Sequence, residues 1–373
     1  MPSYEELDIT PMINANATLT RLGGSIMPPE VLEAMMAAAK SFIELPELQR
    51  RVGNRIALLT QNEACYVSSG AAGGIVVAIA ACVTGNEKWA IEQLPDLTGL
   101  KNEVIVHKSQ RNGYDHAVRQ VGVRLIEIGW PGQAELWHLE RAINEKTAAV
   151  IWFEGALGSP GDIPLEKVID TAHAHGVPVL VDAAAQLPPV ENLWKFTQMG
   201  ADAAIFSGGK DLRGPQSSGL VLGKQWLVDA CALNGNPNQS IGRPMKVGKE
   251  EMLGLLAAVE RYLAMDHEAR SSQMEEIVAG WCSELNRLDG VSATRSFPSE
   301  ANQPMPRARV QIDASIVGRT RSEILQAMRD GTPSVDAASG PDETIMLNPQ
   351  TLEEGEEEIV LARLVEEIQG GVK

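Results

Sequence analysis

One lysine of this chain lies where its amine could become reactive. Lys210 comes between two short apolar runs, Ala203–Phe206 and Gly219–Leu222, and two glycines stand directly before it. Short apolar runs bounded by Gly and Pro are typical of buried strands, so Lys210 is predicted on a tight loop between two strands. Burial disfavours the charged ammonium, and the free amine is the nucleophile that forms Schiff bases. A solvated loop lysine is the alternative that this stretch leaves open.

A carboxylate is predicted at the end of the preceding strand. Asp182 closes the apolar run Val177–Val181. A buried carboxylate is costly unless it meets a cation or strong hydrogen-bond donors, and the protonated nitrogen of a pyridine cofactor is such a cation. A helix N-cap is the other common use of Asp after a strand. Because Lys210 follows the next strand, the cofactor interpretation is favoured.

Small residues follow a third predicted strand. Ser69, Gly70 and Ala71 lie between the strand Ala64–Val67 and a very apolar helix. Backbone N–H groups at a helix N-terminus bind phosphate when no bulky side chain stands in the way. Close packing is the alternative reason for small residues here. The turn is not a G-x-G-x-x-G dinucleotide motif, and the residues around Lys210 are not a Walker loop.

Alternating strands and helices are the framework that positions these residues. The pattern predicts an α/β fold with a mostly parallel central sheet and helices on both faces, including a helix at Tyr114–Val121. Ligands of such sheets bind at the carboxyl ends of the strands, where the candidate residues lie. The predicted strands of this sheet are Ala64–Val67, Val104–His107, Arg124–Ile128, Ala148–Phe153, Val177–Val181, Ala203–Phe206 and Gly219–Leu222.

The chain is predicted to have three parts. Residues 1–24 are expected to form an extended arm, and residues 25–246 a large α/β domain. Residues 247–373 are expected to form a long helix, broken near Asp266–Ser272, and then a small α+β domain. The strands predicted in the small domain are Arg309–Ile312 and Thr344–Leu347.

Composition excludes several classes of function. The net charge of −17 opposes binding to phosphate backbones, so we expect no nucleic-acid partner. Four cysteines in apolar settings, without a C-x-x-C pair, indicate buried thiols in a reducing compartment. The apolar runs are too short to span a membrane, and no secretory signal is visible, so a cytoplasmic protein is expected. No metal site is expected, because the H-A-H pair His173 and His175 is more typical of a solvated helix face.

The sequence around the lysine resembles that of a known family. F-S-G-G-K-D-L-R-G-P-Q-S-S-G, with V-D-A-A-A-Q before it, is similar to fold-type I enzymes that use pyridoxal 5'-phosphate (PLP). The branch it resembles contains selenocysteine synthase and the D-glucosaminate-6-phosphate ammonia-lyases. N-A-N-A-T-L-T-R-L-G-G-S and R-P-M-K-V-G-K-E-E resemble the lyase side of that branch. The similarity runs from about Ile13 to the C-terminus.

The resemblance implies roles for individual residues. Lys210 would carry the cofactor and Asp182 would pair with its ring nitrogen. The residues implied to bind the phosphate are Ser69, Gly70 and Ala71, with the Ser207 hydroxyl and, across a dimer interface, Arg243. Gln186 could contact the ring hydroxyl. A residue stacking on the ring is expected after Val104–His107, where the candidates are Gln110, Arg111, Tyr114 and His116.

The resemblance also implies a reaction. We expect a lyase that removes the α-proton of a hydroxy amino acid or amino-sugar acid, expels a β-group and releases ammonia and a 2-oxo acid. An aldolase, a racemase, a selenocysteine-synthase-like transferase and a non-catalytic PLP-fold protein are the alternatives. Arg21, Arg307 and Arg309 are candidates for the substrate carboxylate, because a guanidinium binds carboxylate as a fork. The family's shared sites imply a homodimer or a larger homo-oligomer.

Overall fold

The computed structural model describes residues 2–155 and 158–370 and divides into two compact units. Unit 1 comprises Met1–Ile26 together with Asp266–Lys373, and unit 2 comprises Met27–Met265. The N-terminal arm therefore belongs to the same unit as the C-terminal segment. The three-part division expected from the sequence stays a prediction.

The secondary structure is as follows. The strands of the described residues are β1 (Met12–Ala15), β2 (Ala64–Ser68), β3 (Glu103–His107), β4 (Arg124–Ile128), β5 (Thr147–Phe153), β6 (Val179–Asp182), β7 (Ala203–Ser207), β8 (Gly219–Gly223), β9 (Val291–Ser296), β10 (Arg307–Ile312), β11 (Ser334–Ser339) and β12 (Thr344–Leu347). The helices are α1 (Pro29–Ala39), α2 (Leu45–Leu59), α3 (Ala71–Thr84), α4 (Lys88–Gln93), α5 (His116–Arg119), α6 (Leu136–Ala142), α7 (Leu165–Ala174), α8 (Asn192–Gln198), α9 (Gln225–Asn234), α10 (Lys249–Ala264), α11 (His267–Leu285), α12 (Ala314–Val317), α13 (Arg321–Asp330) and α14 (Glu356–Gln369).

Unit 2 is built on a seven-stranded sheet in the order β2-β8-β7-β6-β5-β3-β4. Its strands pair in parallel, except that β8 runs antiparallel to both of its neighbours, β2 and β7. The predicted mostly parallel sheet is confirmed. Because β8 runs in the opposite direction, the β7–β8 loop lies at the edge where β6 and the other parallel strands end.

Helices cover both faces of this sheet. α3 packs on one face, and its residues are buried on nearly every side because it lies between the sheet and other apolar side chains. The other face is covered by α2, α7 and α10. The continuous apolar runs of the central strands reflect this double burial.

Unit 1 has a five-stranded sheet in the order β1-β11-β12-β10-β9. β1 pairs in parallel with β11, so the arm predicted to be extended supplies an edge strand. The strands β9 and β11 have no counterpart among the predicted strands. β9 (V-S-A-T-R-S) and β11 (S-V-D-A-A-S) each contain two serines and a charged residue, and neither has more than two consecutive apolar residues.

Two predicted helices differ from the structure. The segment expected to be helical at Tyr114–Val121 consists of a 3-10 turn, Gly113–Asp115, and the short α5, because the Asn112 side chain accepts the Tyr114 N–H and holds a turn there. The break in the long helix lies between Ala264 and His267. No helix within 2–155 and 158–370 is long and apolar enough to cross a membrane.

Candidate active site

The Lys210 loop begins directly after β7 and is closed by backbone hydrogen bonds. Gly208 N–H donates to the Ser218 carbonyl at 2.8 Å, which joins the two ends of the loop. Gly214 N–H donates to the Gly208 carbonyl at 2.8 Å, and Arg213 N–H donates to the Lys210 carbonyl at 3.0 Å. These bonds fix the backbone on both sides of the lysine.

Close packing explains Gly208, the first of the two glycines before the lysine. A Cβ on Gly208 would lie 2.1 Å from Ser218 Oγ and 2.7 Å from Leu255 Cδ1 of α10. Such distances are far inside van der Waals contact, so a larger residue would displace the loop. The loop is held from the same side by Tyr262 of α10, whose hydroxyl donates to Asp211 Oδ2 at 2.8 Å. Asp211 and Tyr262 are both buried, so this bond anchors the residue next to Lys210.

Asp182, which is buried, and Lys210, which is partly buried, are electrostatically coupled. Asp182 ends β6 and is 8% exposed. Burial raises the pKa of its carboxyl group, opposed by the Ala184 N–H, which donates to Oδ1 at 3.0 Å, and by the charge of Lys210. Burial lowers the pKa of Lys210, opposed by the charge of Asp182. Desolvation thus increases the share of the free amine, as the sequence predicts.

The predicted phosphate turn lies beside this pair. α3 begins at Ala71, so the first N–H groups of a 14-residue helix are directed at the turn. β8 links the two features: in register, Gly219 lies opposite Ser68 on one side and Ser207 on the other. A Cβ at Gly219 would lie 2.6 Å from the Gly70 carbonyl carbon. The glycines and N–H groups form a cradle that fits a phosphate group.

A cleft of about 340 Å³ opens next to the turn. Its walls include Ser69 and Gly73 from the turn and the start of α3, and Tyr114 and His116 from the segment around α5. It therefore brings together two residues that the sequence predicts as cofactor ligands, Ser69 and His116. Met245, two residues after Arg243, also lines this cleft.

The four stacking candidates differ in their surroundings. Gln110 is buried, and its Oε1 accepts the Phe153 N–H at 3.0 Å. Arg111 pairs with Asp115 at 2.6 Å and also with Glu127. Tyr114 and His116 are exposed at the cleft. Gln110 and Arg111 thus have structural partners, whereas Tyr114 and His116 face a space that a ligand could enter.

Two further polar residues at this edge were not among the sequence candidates. His107 ends β3 and is fully buried, and within the described structure neither ring nitrogen has a hydrogen-bond partner. Its ring meets Trp152 edge to face at 5.2 Å, and burial lowers its pKa. Glu154 follows β5; its N–H donates to the Asp182 carbonyl at 2.9 Å, and its Oε2 accepts the Trp152 Nε1–H at 2.6 Å. Both follow the pattern that identified Asp182, a polar residue closing a buried strand.

The remaining predicted cofactor ligands lie in unit 2. Gln186 is buried, and its Nε2 donates to the Glu154 carbonyl at 3.4 Å. Ser207 is the last residue of β7. Arg243 is exposed and donates to Asn236 Oδ1 at 3.3 Å.

The predicted substrate arginines belong to unit 1. Arg21 is half exposed and contacts Asp336 Oδ2 at 3.0 Å. Arg307 is almost fully buried, with its Nε 3.3 Å from Glu300 Oε2. Arg309 is partly exposed and lies 3.9 Å from a carboxylate oxygen of Asp342. Within the described residues, no cluster of three or more His, Cys, Asp or Glu could hold a metal ion.

Comparisons with known proteins identify the family that this chain resembles. Residues 98–238 match the family model described as Aminotransferase class-V. The chain is 32% identical over 370 residues to D-glucosaminate-6-phosphate ammonia lyase of Salmonella typhimurium (strain 14028s / SGSC 2262), covering 97% of each chain. It is 32% identical over 340 residues to 5'-C-glycyluridine monooxygenase-decarboxylase of Streptomyces sp, covering 89% of this chain and 83% of that one. A solved structure of D-glucosaminate-6-phosphate ammonia-lyase matches with a TM-score of 0.88 and 31% identity, covering 100% of both chains.

These matches confirm the family resemblance and the predicted cofactor, PLP. The cradle beside α3 and the coupled Lys210–Asp182 pair fit that cofactor, because they offer phosphate donors, an amine for its aldehyde and a carboxylate for its ring nitrogen. The roles of individual residues stay predictions. The chain belongs to the fold-type I PLP-dependent enzymes related to D-glucosaminate-6-phosphate ammonia lyase.

Proposed function

We propose that this protein is a PLP-dependent ammonia-lyase acting on a hydroxy amino acid or an amino-sugar acid. The observation that carries the proposal is the coupling of the partly buried Lys210 with the buried Asp182, together with the glycine-walled phosphate cradle. A relative named as an ammonia lyase, matching over 97% of both chains, supports the reaction type.

The proposed cofactor contacts use residues around the edge of the unit 2 sheet. Lys210 Nζ would hold the cofactor covalently, and the Asp182 carboxylate would accept the N–H of its ring. The α3 N-terminus, with Ser69, Gly70 and Ala71, would bind its phosphate. Ser207, Gln186, His116 and Arg243 are proposed as further contacts. When bound, the cofactor withdraws electrons from the substrate α-carbon.

Side chains of the protein would then accept and stabilise the protons that the reaction moves. The free amine of Lys210 would accept the proton of the substrate α-carbon, which its lowered pKa favours. Asp182 would stay ionised, because a cationic N–H partner offsets the cost of its burial. Loss of the β-hydroxyl and addition of one water make the net products ammonia and a 2-oxo acid that keeps the carbon skeleton of the substrate.

We further propose that His107 contacts the cofactor or the substrate. A buried imidazole whose two nitrogens lack partners loses about 1–3 kcal/mol of hydrogen bonding for each unsatisfied group. His107 ends β3 at the same sheet edge as Asp182, so an incoming ligand could supply the missing partner. Replacing His107 with Phe, which keeps an aromatic ring, should weaken ligand binding without unfolding the protein. Unchanged binding would reject this role.

An oxygen-dependent decarboxylation is the second reaction to be tested. A relative that matches 89% of this chain is named as a monooxygenase-decarboxylase, and its identity is the same 32%. An enzyme of that type would consume oxygen and release carbon dioxide, whereas an ammonia-lyase does neither. The aldolase, racemase and transferase alternatives share the α-carbon chemistry and differ in their products.

The test is a substrate screen with the cofactor-loaded enzyme. D- and L-hydroxy amino acids, D-glucosaminate and D-glucosaminate 6-phosphate would be offered while ammonia, 2-oxo acid and oxygen uptake are measured. The proposal predicts equal amounts of ammonia and 2-oxo acid without oxygen uptake. Oxygen uptake with carbon dioxide release, or racemisation without a 2-oxo acid, would contradict it.

The cytoplasmic location and the homodimer are part of the same proposal. The four cysteines are free thiols, which suits a reducing compartment. Light scattering of the purified protein tests the oligomeric state, and a monomer of 40.1 kDa would contradict the dimer.

A further inference from the structure

Unit 1 contains a cluster of charged residues around one buried aspartate, Asp336. Asp336, on β11, has a fully buried side chain and receives hydrogen bonds from three side chains. Asn16 Nδ2 donates at 2.8 Å and Arg21 Nη2 at 3.0 Å, both to Oδ2. Arg329 Nε, from the last turn of α13, donates to the other oxygen, Oδ1.

Both arginines are bound to this one carboxylate, each at a different oxygen. β1 pairs with β11 so that Asn14 lies opposite Asp336, which fixes the chain leading to Arg21. Because both guanidinium groups hydrogen-bond the same carboxylate, they are no more than about 8 Å apart. That spacing allows a single oxyanion to contact both.

The cluster has unused positive charge at the surface. Asp336 supplies one negative charge against two positive ones, and within the described parts of the chain neither arginine pairs with another carboxylate. The Arg21 side chain is 51% exposed and the Arg329 side chain 40%, whereas that of Asp336 is 0% exposed. Both arginine side chains are therefore accessible to a solute. In a chain of net charge −17, such a local excess of positive charge needs a reason.

We infer that Arg21 and Arg329 form a binding site for a small oxyanion, a phosphate or a carboxylate, with Asp336 as the residue that positions both guanidinium groups. The forked donors of a guanidinium match these two anions. Locking the N-terminal arm to β11 requires only the Asn16–Asp336 bond and one arginine. An anion site gives a reason for the second exposed arginine. This inference does not depend on the lyase reaction.

Isothermal titration calorimetry of the cofactor-loaded protein tests this site. The probes are inorganic phosphate, D-glucosaminate and D-glucosaminate 6-phosphate. Arg21→Gln and Arg329→Gln should each weaken binding of at least one probe by about 10- to 100-fold, because each removes a charge-assisted hydrogen bond. Arg21→Lys and Arg329→Lys keep the charge but lose the fork, and should recover part of the affinity if the fold is intact.

The matched control is Arg295→Gln. Arg295 is also a half-exposed arginine of unit 1, 47% exposed, but it is paired through two nitrogens with Glu275 at 2.7 and 2.6 Å. Its loss should leave binding of every probe unchanged.

The pattern across probes identifies the anion. Weakening confined to inorganic phosphate and the phosphorylated sugar acid assigns the site to a phosphate, and equal weakening of both sugar acids assigns it to a carboxylate. Wild-type affinity in Arg21→Gln and Arg329→Gln, or no binding of any probe to the wild type, would overturn the inference. Anion binding without any ammonia release would reject only the proposed lyase reaction.

Discussion

Two buried aspartates of this chain differ in the number of hydrogen bonds that they accept. Asp182, in unit 2, accepts one hydrogen bond, from the Ala184 N–H, within the described residues, and its pKa is raised by burial. Asp336, in unit 1, is fully buried and accepts hydrogen bonds from Asn16, Arg21 and Arg329.

The difference shows how to separate a ligand-binding carboxylate from a positioning one. Burying a charge is costly, and the chain offsets that cost at Asp336 with its own donors. At Asp182 the donors are too few, and the remaining partner must come from Lys210 or from a bound cation. A buried carboxylate with too few donors therefore marks a site that a ligand completes.

The largest effect is expected for the amine of Lys210, in unit 2. Lys210→Ala removes the group proposed to hold the cofactor and to move the α-proton, and should lower kcat by about 10⁴-fold or more. The measurement is the rate of ammonia release by the variant supplied with excess PLP. Lys224→Ala, which removes an exposed lysine paired with Glu63, is the control and should keep wild-type activity. Substantial activity in Lys210→Ala would contradict the proposed role.

Replacing each aspartate in turn tests the comparison itself. Asp336→Asn leaves two half-exposed arginines without their shared counter-charge and should destabilise the protein by about 1–3 kcal/mol, because it weakens charge-assisted hydrogen bonds without burying an unpaired charge. Asp182→Asn should change the stability of the apoprotein by less than about 1 kcal/mol, since a neutral amide is easier to bury, but should lower kcat about 100-fold or more. Urea unfolding and ammonia release measure the two effects.

A third buried aspartate serves as the control for this exchange. Asp202 lies just before β7 and accepts hydrogen bonds from His173 at 2.8 Å and from the Val179 N–H at 2.8 Å. Asp202→Asn should lower stability without altering the absorbance of the bound cofactor. If Asp182→Asn behaved in the same way, Asp182 would be a structural residue like Asp336.

The anchor of the lysine loop is expected to have a smaller effect. Tyr262→Phe removes the hydroxyl that donates to Asp211, and leaving that buried carboxylate short of a donor should cost about 1–3 kcal/mol. Denaturant unfolding measures this loss. Tyr114→Phe, at an exposed tyrosine, should cost nothing measurable, and equal losses in the two variants would show that the Asp211 contact does not anchor the loop.

The smallest effect expected is a shift in a pH profile. Since burial lowers the pKa of Lys210, the rate at which the apoprotein takes up PLP should rise with pH and level off below the ordinary lysine value of 10.5. Removing the Asp182 charge removes a group that favours the ammonium, so Asp182→Asn should move the midpoint to lower pH. Stopped-flow absorbance measures the rate, and a midpoint that moves to higher pH would contradict the coupling.

Much of the unit 2 framework could be predicted from the sequence. Buried parallel strands are continuous apolar runs, and the polar residues that end them, such as Asp182, stand out against that background. Lys210 was recognisable because glycines surround it between two such runs. His107 follows the same rule, because it is the last residue of β3. A histidine at the end of an apolar run can equally belong to the strand, so the sequence alone does not mark His107 as a residue of the site.

The unit 1 cluster could not be predicted in this way. Arg21 and Asp336 are separated by 315 residues, and no local pattern reports which distant strand will pair with β1. β11 contains only a few apolar residues, so the period-2 signal of a strand is weak there. Contacts between distant, polar segments are set by the tertiary structure and appear only when the sheet is assembled.

The central claim is that Lys210 carries the cofactor. Borohydride reduction of the purified holoenzyme, followed by proteolysis and mass spectrometry, tests it most directly. We expect the mass of a reduced phosphopyridoxyl group on the peptide containing Lys210 and on no other lysine peptide. An unmodified Lys210, or the label on another lysine, would contradict the account.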